Sequence, residues 1–299
     1  MSEGRNPNAG SLPMIRNHDR RRAPSARDRG DRRPDHPPPA KPRRLGPESA
    51  VPRDPSAEQR PGGVVRIYGF HSVEAALKAP RRELVRLYAT PAAAERLKPE
   101  IAARGVETRV MSLEEIAARA PREAAHQGVL LEARPLPPID LSGLPPKGLV
   151  LVLDQISDPH NVGAIIRTAA AFAVDALVTT ERHSPEFSGA LAKSASGGLE
   201  HVPIASVTNL ARALGELGDM GYWRVGLDSE ASASLDGVAL SRPLAIVLGA
   251  EAKGMRRLTR ERCDLLARLE LPGAIKSLNV SNACAIALAL VHRRLPAER

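Results

Sequence analysis

The sequence predicts an α/β protein: a mostly parallel sheet with helices on both faces, preceded by a smaller α/β module. Three observations lead there. From Gly148 onwards, short apolar runs alternate with helical segments, as in strands joined by crossover helices. A proline-rich break at 135–147 separates this region from what precedes it and acts as a semi-stiff linker. Ahead of the break, a series of strands and helices makes a unit of about 70 residues, small but able to fold. The chain is thus divided into 1–62, 63–134, 135–147 and 148–299.

Residues 1–62 hold 14 Lys and Arg against 8 Asp and Glu, so +6 of the net charge of +9 sits there, with 12 of the 27 prolines. Large apolar residues are nearly absent. Such a segment cannot bury enough surface to offset the entropy of ordering, and disorder is expected. Electrostatic attachment to RNA and a passive tail both remain open as its role. It lacks the apolar core of a secretory signal, and its acidic residues argue against a transit peptide. No apolar run approaches the ~20 residues of a membrane span.

A basic chain favours a polyanionic partner. Aromatics are only 2 %, so base stacking would be thin and RNA contacts should rest on Arg, Lys and backbone groups. Cys263 and Cys284 lie far apart and fit no CxxC pattern, which points to two buried thiols in a reducing cytosol. The eight histidines show no HExxH or comparable ligand spacing, and no metal is expected.

The first module runs in order as follows. Val64 to Tyr68 reads as a strand and Ser72 to Lys78 as a short helix capped by Ser72. Leu84 to Ala89 is a strand, and Pro91 to Arg104 a helix with proline at its first position. Val106 to Met111 is another strand. Ser112 to Arg119 is a helix with Ser112 and Glu115 at capping-box spacing, and Gln127 to Glu132 closes the unit.

In the second region strands fall at 148–153, 175–179, 201–204, 222–226, 243–248 and 265–271. Helices fall at 159–173, 186–196, 207–219, 256–262 and 279–294. The stretch Asp154 to Arg167 organises this region. Asp158-Pro159 is a strong helix start, with an acceptor for free amides beside a proline whose missing N–H costs nothing. Asn161 therefore lies at a helix mouth beyond an open strand end, where ligands meet parallel sheets. Arg167 follows on another part of the same helix and faces either solvent or an anion. Alone, this stretch reads as a capping Asn and a surface Arg.

Two later loops add to it. Leu248-Gly249-Ala-Glu251-Ala-Lys-Gly254 is spaced like a phosphate loop, yet Met255-Arg256 stands where Lys and Ser or Thr are needed. No GxGxxG occurs, so the dinucleotide fingerprint is absent too. Gly249 and Gly254 suggest close approach of backbone to a ligand. Glu251 is placed to cap a neighbouring helix or to pair with Arg167. The loop from Leu271 to Ser281 then brings Ser277, Asn279 and Ser281 to a helix entrance, more polar side chains than one cap requires.

Taken together, Asn161 with Arg167, Leu248-Gly-Ala-Glu251 with Gly254, and Leu271-Pro with Ser277-Leu-Asn-Val-Ser281 resemble, in order, the three motifs of the SpoU (TrmH-type) branch of the SPOUT RNA methyltransferases. The resemblance covers 148–299. Tyr68-Gly-Phe-His71 and His126-Gln-Gly-Val129 are similar to the ribosomal-protein-like RNA-binding domain of members that modify large-subunit ribosomal RNA. The resemblance implies a trefoil-knotted α/β catalytic domain and a homodimer whose site forms where two knots meet. S-adenosylmethionine would be held around Leu248, Gly249, Gly254, Leu271 and Leu278. Methyl transfer to a ribose 2′-hydroxyl, on a guanosine of 23S ribosomal RNA, would use Asn161, Arg167, Glu251, Ser277 and Asn279.

The residue types suit that chemistry. In-line attack on a methyl group demands positioning above all. The ribose hydroxyl must also lose its proton, which calls for a base or for stabilisation of the emerging alkoxide. Arginine stays protonated, so Arg167 is read as clamp on a substrate phosphate and stabiliser of negative charge. Asn161 and Asn279 would orient ribose or Arg167, with Ser277 nearby, and Glu251 would hold the architecture by pairing with an arginine. In one respect the chain departs from the pattern: Gly273-Ala-Ile-Lys276 is shorter than the corresponding stretch of many members. The competing readings are a transfer-RNA methyltransferase and an RNA-binding relative without activity.

Overall fold

A computed structural model describes residues 63–122, 124–251 and 253–295. The expected disorder of 1–62 lies outside the described residues.

The first module comprises β1 (Val65–Tyr68), α1 (Phe70–Lys78), β2 (Leu84–Ala89), α2 (Pro91–Arg96), α3 (Lys98–Arg104), β3 (Thr108–Val110), α4 (Leu113–Ala117) and β4 (Val129–Ala133). Its four strands lie in the order β1-β4-β2-β3, antiparallel except for the parallel β2–β3 pair. The capping box at Ser112 and Glu115 forms as the sequence predicts.

Two expectations in this module are corrected. Ser72 is not a cap: α1 begins at Phe70 behind Gly69, whose φ of 89° suits glycine, and the buried Ser72 hydroxyl donates to the Ala192 carbonyl at 3.0 Å. The helix expected over 91–104 is two helices broken at Leu97. Pro99 has no N–H for the carbonyl of Glu95 and its ring crowds that oxygen, so the helix cannot run through.

The second region comprises β5 (Leu149–Asp154), α5 (Pro159–Ala171), β6 (Ala176–Thr180), α6 (Gly189–Ala195), β7 (Ile204–Val207), α7 (Leu210–Asp219), β8 (Trp223–Leu227), β9 (Ala233–Ser234), β10 (Leu244–Gly249), α8 (Arg257–Glu261), β11 (Leu265–Arg268) and α9 (Val280–Arg294). The seven strands lie in the order β7-β6-β5-β10-β8-β11-β9, and every adjacent pair is parallel. This is the parallel sheet expected. The two-residue β9 was not foreseen, and β7 starts later than expected because 198–200 forms a turn of 3₁₀ helix. The helix expected from 207 starts at Leu210, where Asn209 accepts from the Arg212 amide at 3.1 Å. The last long strand stops at Arg268 rather than at Leu271, which leaves Leu271 in a loop.

Alternation along β5 shows how the sheet is covered. Leu149, Leu151 and Leu153 join a core with Val162, Ile165 and Ile166 of α5 and Cys284 and Leu288 of α9. Val150 and Val152 join a second core with Leu210, Leu214 and Leu217 of α7. Successive side chains of one strand thus feed opposite faces, as a doubly covered parallel sheet requires.

The first core also takes in Ile67, Val73, Leu77 and Leu131 of the small module, so the two modules share one apolar interior. At their seam Arg82 and Glu200, with side chains 2 % and 3 % exposed, form an ion pair at 2.6 Å. Arg82 Nε also meets both carboxylate oxygens, and its Nη1 donates to the Arg134 carbonyl at 2.9 Å. A buried pair of this kind persists only with good hydrogen bonding, and here each of the three guanidinium nitrogens has a partner.

Candidate active site at the ends of the central strands

The mouth of α5 is built as the sequence suggests. Asp158 Oδ1 accepts from the His160 amide at 3.2 Å and Oδ2 from the Asn161 amide at 3.1 Å, behind Pro159 in the first turn. This fixes Asn161 beyond the carboxyl end of β5. Asn279 caps α9 as Asp158 caps α5: its Oδ1 accepts from the Ser281 amide at 2.9 Å and from the Ser281 hydroxyl at 2.6 Å. Its Nδ2 donates to Asn161 Oδ1 at 2.9 Å and to Glu251 Oε1 at 2.7 Å. Residues 118 and 28 positions apart in sequence thereby meet in one cluster.

Beside the cluster lies a cavity of about 320 Å³, within the range of small-molecule sites. Leu248, Gly249, Gly254, Leu271 and Leu278, the five residues expected to hold a cofactor, all line it, together with Glu251 and Ser277. The loop that forms one wall is tight. A Cβ built on Gly249 would lie 2.2 Å from Gly254 C and Met255 N, so no side chain fits at 249. Ala250 and Gly254 exchange backbone hydrogen bonds at 3.1 and 2.7 Å, closing the loop on itself. On the opposite wall Lys276 Nζ donates to the Leu271 carbonyl at 2.8 Å and ties the short third loop together.

Arg167 stands apart. It is exposed, does not line the cavity, and its side chain makes no hydrogen bond or ion pair among the described residues. Six residues of helix carry it roughly 240° round the axis and about 9 Å along it from Asn161. The expected pairing of Glu251 with an arginine is corrected: Glu251 accepts from Asn279, because α9 begins where the loop passes.

Sequence reasoning missed several residues here. Asp228 and Arg260 line the cavity and pair at 2.5 Å. Asp154, fully buried, accepts from the Arg256 amide at 2.8 Å and from Arg256 Nε at 2.7 Å. The available signal was an acid ending an apolar strand, since strand ends in such sheets face the ligand crevice. Nearby, Cys263 lies against Gly226 and its thiol is pushed up to about 12 by burial. Arg224 donates to the Asp264 carboxylate from Nε and from its backbone amide, each at 2.8 Å, and from Nη2, which holds that carboxyl below the usual carboxylate range.

The lining combines apolar side chains with carboxylates (Asp228, Glu230, Glu251) and cations (Lys253, Arg260, Lys276). Such a mixture suits a ligand with an apolar ring system and charges of both signs. Residues 148–289 match the SpoU rRNA methylase family, and residues 66–139 match the RNA 2′-O ribose methyltransferase substrate-binding family. The 23S rRNA (guanosine-2′-O-)-methyltransferase RlmB of Nitrosomonas europaea is 52 % identical over 148 residues, covering 50 % of this chain and 57 % of that protein. The protein of the same name from Pseudomonas aeruginosa is 37 % identical over 258 residues, covering 78 % of this chain and 98 % of that protein. Among solved structures, the SpoU methyltransferase AviRb from Streptomyces viridochromogenes, in complex with AdoMet, has a TM-score of 0.68 at 20 % identity, covering 79 % of this chain and 92 % of that one. That last likeness shows the fold, and the Pseudomonas relative, matched over nearly its whole length, shows the lineage. The chain belongs to the SpoU rRNA methylase family.

Proposed function

We propose that this chain transfers a methyl group from S-adenosylmethionine to the ribose 2′-hydroxyl of a guanosine in 23S ribosomal RNA. The observation that carries the reading is the Asn161–Asn279–Glu251 cluster at the edge of a cavity lined by the five residues expected to hold the cofactor. The names of the Nitrosomonas and Pseudomonas relatives support the substrate.

S-adenosylmethionine supplies an electrophilic methyl group on a sulfonium. The chain's own task is then to hold, orient and stabilise. Leu248, Leu271 and Leu278 give apolar walls, and the loop at Gly249 and Gly254 offers backbone groups at close range. Asn279, fixed by its cap on α9, orients Asn161 and Glu251 toward the incoming ribose, and Ser277 adds a hydroxyl on the same side. Arg167 clamps a substrate phosphate and stabilises the charge that develops on the attacking oxygen.

Two copies of the chain pair, and the site is completed where they meet. That Arg167 lies outside the cavity of its own chain supports this reading. The C-terminal part forms the trefoil knot of the family. The enzyme works in the cytoplasm, and no helix among the described residues is long and apolar enough to cross a membrane.

The test is a map of 2′-O-methylation in ribosomal RNA from cells lacking this protein, repeated with Arg167→Ala in its place. One guanosine of 23S RNA should lose its methyl group in both. A full ribosomal pattern with a methyl group missing from transfer RNA would move the substrate to transfer RNA. Unchanged ribosomal and transfer RNA would remove the activity.

A further inference from the structure

We infer that Asp154 is a positioning residue for the methyl donor, acting through Arg256 on the loop from Gly249 to Gly254. This rests on the reading of the cavity as the donor site. Asp154 itself lines no part of that cavity.

Asp154 ends β5, is 0 % exposed, and lies directly opposite Gly249 in the parallel register with β10. A carboxylate so placed is costly unless its oxygens are occupied. Both are: Oδ2 by the Arg256 amide at 2.8 Å and Oδ1 by Arg256 Nε at 2.7 Å. The Arg256 side chain is 44 % exposed, so the acid is the buried member of the pair.

The loop therefore leaves the sheet beside Asp154, at Gly249, and is brought back to Asp154 at Arg256. Between these points Ala250 and Gly254 pair with each other, and Glu251 is tied to Asn279. One end of the wall is held by strand pairing and the other by a carboxylate with two hydrogen bonds. Loss of the second anchor would let Gly254 drift relative to Leu271 and Leu278 across the cavity, while Glu251 stays tied to Asn279.

The effect should appear in donor binding and not in the chemical step. In Asp154→Asn one oxygen becomes a donor facing a donor, so the Kd for S-adenosylmethionine should rise about 10-fold or more, the scale of hydrogen bonds to charged groups. The kcat at saturating donor should stay near wild type. Arg256→Ala keeps the amide bond and loses only the Nε bond, so its Kd should rise by a smaller factor, about threefold.

Calorimetry with S-adenosylmethionine on the full chain, with methylation kinetics and melting curves, decides the matter. Wild-type chain giving no heat overturns the cavity reading and this inference together. Wild-type binding with Asp154→Asn and Arg256→Ala binding equally tightly overturns this inference alone, even if both variants melt earlier. Should Asp154→Asn fail to fold, Arg256→Ala on its exposed side chain carries the test, and an unchanged Kd there overturns the inference.

Discussion

Asn279 donates from one amide nitrogen to Asn161 and to Glu251, at 2.9 and 2.7 Å, while its oxygen caps α9. One side chain thus links the first helix mouth, the glycine loop and the last helix. Asn279→Asp keeps the capping acceptor, loses both donors, and sets a carboxylate against Glu251. Methyl transfer should fall about 100-fold, the scale set by loss of one preorganised group. Adding Glu251→Gln removes the repulsion and should recover part of the loss. Single-turnover methylation of an RNA fragment measures both, and no recovery in the double variant would count against the contact.

Arg167 gives the opposite separation. Its side chain is exposed and unpaired among the described residues, so Arg167→Ala should change unfolding free energy by no more than about 0.5 kcal/mol. Activity should nevertheless fall about 100-fold or more if it stabilises developing charge. Urea unfolding beside a methylation assay checks this. A large loss of stability with activity intact would reverse the assignment.

The Arg82–Glu200 pair bears on stability. With both side chains almost wholly buried, Glu200→Ala leaves a buried guanidinium short of its partner and should cost about 3–5 kcal/mol. Replacing both together, as Arg82→Met with Glu200→Leu, should sit nearer wild type than Glu200→Ala alone. Urea midpoints of the three proteins rank them, and a double variant no better than the single would contradict the account.

Burial pushes both thiols, Cys263 and Cys284, up to about 12. A raised thiol in the folded chain means stability that is present below the ordinary thiol range and lost as pH climbs towards 12, where only the unfolded chain has released its protons. Melting temperature should fall across that alkaline window, and less so in Cys284→Ala. Labelling of Cys284 by a thiol reagent at pH 8 should proceed only as fast as the chain opens.

Much of the candidate site was legible because its signals are local. Asp158-Pro159 and Asn279 are helix starts, and each cap forms where the residue types place it. The glycine loop follows an apolar strand that the sequence marks within a residue. What escaped was non-local. Nothing near Arg82 announces Glu200, and nothing near Asp154 announces Arg256, because both pairs exist only once distant strands and turns are packed together. Ser72 was misread for a related reason: its hydroxyl is taken by Ala192, across the seam between modules, while Gly69 starts the helix without a side chain. Pro99 was a local signal that the expectation of one long helix overlooked.

The seam also bears on how such a chain is recombined. Ser72 bonds to Ala192, and a Cβ built on Gly189 at the start of α6 would lie 3.6 Å from Tyr68 Cε1. A fusion cut in the proline-rich connector would give a foreign front half the wrong seat, since α6 lies downstream of the cut. The transplantable structural unit is therefore discontinuous: front half plus α6, moved as two pieces.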